Sequence, residues 1–236
     1  MSFFNSQEPL LRKKQTALDV QDLEGLLHFD WRWGNFTLFA AHYTRIDQIF
    51  LLWGLLSAGI FTVAQFLPIA WATQAIYWSL LTIAVMAAMV IWSWYWTGVE
   101  RLRWLIWLWV SLIGGGVLLT DWGIYTYQPW IMAHLCQFWL SVCAAGYILT
   151  GFGLRSRCLH LMAIAHFLGC GAIIYLPNWQ FLLSGIVMGA SLLLLGEYQW
   201  DMRSPSQFAL LSQEQIEFNQ QQHELRLSLE STAHRC

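Results

Sequence analysis

Residues Ala75–Trp96 read AIYWSLLTIAVMAAMVIWSWYW and contain no charged side chain. A helix that is apolar on every face must lie in a large core or in lipid. A chain of 236 residues is too small to bury several such helices in a soluble core. Crossing a hydrocarbon layer takes about 20 mostly apolar residues. Six stretches reach that length: Gln48–Leu67, Ala75–Trp96, Leu102–Thr120, Pro129–Thr150, Cys158–Leu176 and Trp179–Tyr198. Charged residues make up 11% of the chain and the mean hydropathy is +0.47, against roughly 25% charged residues in soluble domains. The predicted fold class is therefore an all-α membrane protein with six transmembrane helices.

The basic residues predict the orientation. Arg12, Lys13, Lys14, Arg32 and Arg45 precede the first span, Arg101 and Arg103 follow the second, Arg155 and Arg157 follow the fourth, and Arg203, Arg226 and Arg235 follow the sixth. The three loops on the opposite side, around Pro68, Asp121 and Pro177, carry none of the twelve. Short cytoplasmic loops are enriched in Lys and Arg, so both termini are expected in the cytoplasm. Arg45, Arg101, Arg103, Arg155, Arg157 and Arg203 set that topology. The chain then divides into an N-terminal region 1–47, a transmembrane domain 48–198 and a C-terminal tail 199–236. Trp71, Trp122, Trp130 and Trp179 fall at the outer boundary, and Trp96, Trp104 and Trp200 near the inner one, where indole rings prefer the headgroup level. The N-terminus lacks the apolar stretch of a signal peptide and is expected to be retained.

Small residues mark close helix approaches. Gly185, Gly189 and Gly196 share a face of the sixth span, Gly54 and Ala58 lie one turn apart in the first, and Gly114, Gly115 and Gly116 stand together in the third. Packing within one bundle is the expected role, with self-association through the sixth helix as the alternative. The chain also reads as three helical hairpins, each turning outside and returning to an inner arginine. All five prolines lie outside the spans or at their outer ends. Of the breaks that transporters place near the midplane, only the triple glycine offers one.

In the tails, Thr16 is placed to cap a short helix Ala17–His28, and Asn35 a second one carrying Phe36, Phe39 and Tyr43 on one face. Ser204, Pro205 and Gln207 look like a helix start, followed by Leu211, Phe218 and Leu225 at intervals of seven. Both tails are thus expected to form short amphipathic helices.

Residues able to carry chemistry are few. Ionisable groups inside a membrane are functional candidates by default, which selects His166, His134 and Asp121 as candidate ligand-binding residues. Counting ~1.5 Å per residue, His134 lies about 8 Å below the outer boundary and His166 about 12 Å above the inner one. In a core ~30 Å thick their heights differ by roughly 10 Å, a poor match for two axial haem ligands. Asp121 is the only acid on the outer side, in the longest outer loop, where it serves as a turn or cap with Thr120 and Gly123, or as a recognition site with Tyr125 and Tyr127. Glu197 is placed to pair with an inner arginine, and Gly151-Phe152-Gly153 reads as an inner turn. No nucleophile, zinc or phosphate motif is present, so no catalytic or metal-binding residue is assigned. The five cysteines lack C-x-x-C spacing and are expected to be small hydrophobes. No motif calls for a cofactor; haem or a pigment stays open.

Three functions fit this pattern: first, a non-enzymatic assembly or scaffold factor for a membrane complex; second, a transporter or channel for a small or lipid-like solute, using His166 and the triple glycine; third, a membrane sensor with the C-terminal tail as output. The bilayer and a membrane-protein partner or a second copy are the expected partners, not nucleic acid. Sixteen tryptophans beside two lysines resemble the balance in membrane proteins of photosynthetic bacteria. A bacterial inner (plasma) membrane or a photosynthetic internal membrane is the expected location.

Overall fold

The computed structural model describes residues 3–4, 9–33, 36–202 and 210–233, most of them helical. Six helices are long and apolar enough to cross a membrane: α2 (Arg45–Phe66), α3 (Trp71–Val99), α4 (Arg103–Tyr125), α6 (Leu135–Leu154), α7 (Arg157–Tyr175) and α8, whose apolar run Pro177–Glu197 starts with a 3-10 turn before the α-helix Gln180–Glu197. Between α4 and α6 lies the short α5 (Pro129–Ala133). Outward-facing Leu55, Ile91, Leu118 and Leu168, away from the ends of these helices, are exposed, as lipid-facing side chains are in a bundle surrounded by hydrocarbon. Helix α6 is the most enclosed of the six, and α2, α3 and α4 are the least.

The helices pair in a definite order. The closest packing joins α2 to α8, then α6 to α7, then α3 to α4. Two of these pairs are consecutive and turn at the arginine-rich end, through Arg101-Leu102-Arg103 and Arg155-Ser156-Arg157. The turns match: Arg101 (φ 56°) and Arg155 (φ 54°) both adopt the left-handed conformation that stops a helix. The following helix then starts two residues later, at Arg103 and Arg157. The expected hairpins turn at the other end, so the observed pairs are offset from them by one helix.

Small residues produce the α2–α8 contact. A Cβ added at Gly185 would meet Phe61, one at Gly189 would meet Ala58 at 3.1 Å and the Gly54 carbonyl at 3.4 Å, and one at Gly196 would meet Leu51. The small-residue face of α8 is thus filled by α2 of the same chain. Of the triple glycine, only Gly116 is a packing position, against Trp139; a Cβ at Gly114 or Gly115 meets nothing within 4 Å. Helix α4 runs unbroken through all three.

The arginine-rich end is covered by the tails, which differ from the sequence expectation. Only Val20–Leu23 (α1) is helical in the segment predicted as Ala17–His28. Leu27–Trp33 (β2) and Phe36–Tyr43 (β3) form an antiparallel hairpin with a bulge at Trp31/Arg32, where a second helix was expected. Both strands are rich in aromatic residues, which suit a pleated ribbon, and cross-strand pairing outweighs the helical spacing of Phe36, Phe39 and Tyr43. Its predicted cap, Asn35, lies outside the described residues. Leu11–Arg12 (β1) pairs with Gln199–Trp200 (β4), tying the N-terminal segment to the end of α8. The C-terminal helix α9 spans Gln213–Ala233; the expected start at Ser204, Pro205 and Gln207 lies outside the described residues. Helix α9 contacts the chain through polar groups. Arg226 pairs with Asp19 at 3.0 Å, and Asn219 bonds the Val20 N–H at 2.8 Å and Gln21 at 3.1 Å, while Leu225 of the expected apolar stripe is exposed.

Two polar joints lock this end. Thr44 and Asp47 form a capping box at the start of α2, and Lys14 pairs with Asp47 at 2.8 Å. Asp201, almost fully buried just beyond α8, accepts hydrogen bonds from the Arg157 and Cys158 N–H groups, the Ser156 hydroxyl and Arg157 Nε, all within 3.0 Å. It caps α7 from another part of the chain, where the helix dipole favours a negative charge.

Candidate functional site

The principal cavity is a slender slot of about 250 Å³ between the α3–α4 pair on one side and α2, α6 and α8 on the other. Its lining on α2 runs from Ile46 to Ala64. That is about 27 Å at the rise of a helix, close to the ~30 Å thickness of a hydrocarbon core. The wall is predominantly apolar and aromatic, and its polar side chains are nearly all occupied. Trp109 Nε1 donates to Thr150 Oγ1 at 3.0 Å, Trp139 Nε1 to Thr120 Oγ1 at 3.1 Å, and Trp78 Nε1 to Gln74 Oε1 at 3.4 Å. Ser57, Ser93 and Thr97 return their hydroxyl hydrogens to carbonyls of their own helices, the usual way a helix accommodates such groups in lipid. One donor in the wall stands apart: Trp53 Nε1 is buried with no acceptor.

At the end remote from the arginines the slot meets Asp121. The carboxylate lies in the last turns of α4 and accepts from Ser79 Oγ of α3 at 2.9 and 3.0 Å. Trp71, Gln74, Trp78 and Phe181 line the same end, with the Trp71 and Phe181 rings 5.5 Å apart.

At the arginine-rich end the slot stops at Ile46, Trp96 and Trp200, which also border a second cavity of about 80 Å³. Lys14, Asp22, His42 and Asp47 line this vestibule. Trp96 Nε1 donates to Asp22 Oδ1 at 3.0 Å across the partition. Burial pushes the Asp22 carboxyl up to about 7, reinforced by the nearby charge of Asp19 and opposed by the Trp96 bond. Asp19 is also raised by burial, with Arg226 acting against it. The Tyr43 hydroxyl, which donates to Glu197 at 2.9 Å, is pushed up to about 12 by burial and by that bond.

The candidate residues from the sequence separate. Asp121 lines the slot, but in a helix rather than a loop: α4 continues to Tyr125, so Asp121 is not a turn residue. Tyr125 bonds the Ala72 carbonyl at 3.4 Å, and Tyr127 points away at 85% exposure, so the expected site with these tyrosines does not form. His134 is exposed, bonded to the Trp130 carbonyl at 2.8 Å and stacked on its ring. His166 is fully buried beside Tyr147, with ring centroids 5.1 Å apart. Its Nδ1 lies 2.8 Å from the Met162 carbonyl, an acceptor only, so Nδ1 carries the hydrogen and Nε2 is a bare acceptor without a partner. One histidine faces outward and the other is enclosed, so they share no site. Neither His166 nor the triple glycine belongs to the slot wall.

Other expectations are corrected at the arginine-rich end. Glu197 takes the Tyr43 hydroxyl rather than an arginine. Gly151-Phe152-Gly153 is the last turn of α6, and the turn itself is Arg155-Ser156. Arg45 pairs with Glu24 at 2.8 Å, Arg103 lies over Trp94 at 4.6 Å, and Arg155 over Phe3 at 5.1 Å; Arg203 lies outside the described residues. The four described cysteines, Cys136, Cys143, Cys158 and Cys170, are free. Among the described residues no group of three or more His, Cys, Asp or Glu could hold a metal ion.

Sequence reasoning missed Asp22, Trp96 as its partner, and Asp201. All three act through contacts between segments far apart in the chain. The one local signal was the acidic character of Asp19 and Asp22 beside a tryptophan-rich membrane domain. No family model matches the chain, no curated protein matches it, and no solved structure matches it.

Proposed function

We propose that this chain is a multi-pass protein of a bacterial membrane, with its arginine-rich end and both termini in the cytoplasm, that binds a slender lipid-like molecule in the slot and carries it between the two leaflets. The twelve-to-zero partition of Lys and Arg supports the orientation. The shape of the slot supports the ligand. About 250 Å³ drawn out along roughly 27 Å suits a chain-like molecule rather than a disc, and apart from Trp53 Nε1 and Asp121 the wall is predominantly apolar. The polar ends are spaced like the two faces of a bilayer.

An assembly role would draw on free tail surfaces. Much of the tail polarity is committed inside the chain, through Asp19–Arg226, Gln21–Asn219 and the β1–β4 pairing, so the slot carries the reading.

Purified protein in mild detergent, examined by native mass spectrometry, is expected to retain a lipid that the Ile60→Trp variant does not. Ile60 lines the slot without a role in the polar joints. Equal lipid retention by wild type and variant overturns the slot as the binding place. Impermeant thiol labelling of Tyr127→Cys in intact cells tests the orientation: labelling from outside supports it, and labelling only after lysis reverses it.

A further inference from the structure

If the slot takes a lipid-like chain, Asp121 determines which headgroup comes with it, and we infer that this is a protonated amine. The Ser79 hydroxyl donates to the carboxylate, its one hydrogen shared between the two oxygens at 2.9 and 3.0 Å. An ionised carboxylate has about four acceptor sites, so the single Ser79 hydrogen leaves most of its capacity open, and the residue lines the slot. Among the described residues no lysine or arginine pairs with it. None occurs between residues 46 and 100, between 104 and 154, or between 158 and 202, which leaves the whole far half of the bundle without one. His134, the histidine toward that end, is turned onto Trp130.

A ligand that brings a cation to this carboxylate adds a charge-assisted hydrogen bond. Trp71, Trp78 and Phe181 line the same cavity, and aromatic rings can attract a cation. An anionic phosphate or sulfate head would meet like charge in the same place. The occupant is thus an amphiphile with its chain down the slot and an ammonium group at Asp121. This inference rests on the slot being a lipid site, and the test separates the two.

Full-length protein in maltoside micelles is titrated with dodecylamine, dodecanol, dodecyl sulfate and butylamine, following the unfolding temperature. The amine is expected to half-saturate at about tenfold lower concentration than the alcohol. Sulfate should bind more weakly than the alcohol, and butylamine, lacking a chain, should give no shift. In Asp121→Asn the advantage of the amine over the alcohol should vanish while alcohol binding persists, which also shows that the variant is folded. Ser79→Ala should keep the preference, since Asp121 remains. Equal binding of amine and alcohol by the wild type, with both lost in Ile60→Trp, overturns the headgroup inference and leaves the slot standing. Binding that is indifferent to Ile60→Trp overturns both. A response to butylamine equal to that of dodecylamine makes Asp121 a site for free amines and overturns the lipid.

Discussion

Trp96 and Asp22 meet at 3.0 Å across the partition between the transmembrane slot and the vestibule beneath it. The bond holds an indole at the mouth of the slot by means of a buried carboxylate whose pKa is raised to about 7. The folded protein therefore holds a proton on Asp22 that the unfolded chain releases above about 3.8. Stability falls as pH rises through the window from about 3.8 to about 7, and levels off above it. Asp22→Asn, neutral at every pH, should flatten that dependence and be more stable than wild type at pH 8 by a few kcal/mol. Thermal unfolding in detergent between pH 5 and 8 measures it; parallel curves for the two proteins refute the assignment.

The α2–α8 contact offers a contrast between glycines. Gly189 faces Ala58 and the Gly54 carbonyl, whereas Gly115 faces open space. Gly189→Leu should force the two helices apart and cost about 3 kcal/mol. Gly115→Leu should fall within about 0.5 kcal/mol of wild type. Unfolding midpoints of the two variants check this, and equal midpoints would sink the packing argument.

Asp201 gathers donors from Ser156, Arg157 and Cys158 at the start of α7. Removing a buried carboxylate leaves those donors without an acceptor. Asp201→Ala should cost about 3 kcal/mol and speed hydrogen exchange in the first turn of α7. Asp201→Asn should recover part of the loss, because one carbonyl oxygen still accepts. If exchange in that turn is unchanged in the alanine variant, the cap does not operate.

Trp53 Nε1 is a buried donor with no acceptor. Replacing a paired indole normally loses a hydrogen bond, but Trp53→Phe removes a donor that has none. The variant should therefore match wild type or gain up to about 1 kcal/mol, while releasing bound lipid more readily if the ligand supplies the acceptor. Unfolding temperature and lipid content by mass spectrometry are read on the same sample. A large loss of stability would show that the packing of the larger indole outweighs its unmet donor.

Much of the molecule was legible in residue order. The spans follow from runs such as Ala75–Trp96, because hydrocarbon thickness translates directly into helix length. The face formed by Gly185, Gly189 and Gly196 was readable for the same reason, since helical periodicity brings such residues together on one side. The tails were read less well. Phe36, Phe39 and Tyr43 satisfy a helical stripe, and their strand form depends on Leu27–Trp33 pairing beside them. Asp121 was recognised as a candidate but placed in a loop, because its charge and the following Gly123 resemble a helix end. In the structure Ser79 of the neighbouring helix accommodates the charge and α4 continues.

By itself the sequence determined the number of apolar helices, the grouping of the arginines outside the apolar runs and in alternate connections, and the small residues available for close contact. Each is set by local length, charge or periodicity. Only the tertiary structure decided that α2 closes on α8, that the α3–α4 pair stands off to leave a slot, and that Asp22, Asp121 and Asp201 find Trp96, Ser79 and the start of α7. Those pairings join residues 42 to 74 positions apart, and local propensity has no term for which distant donor will satisfy a carboxylate when the chain closes.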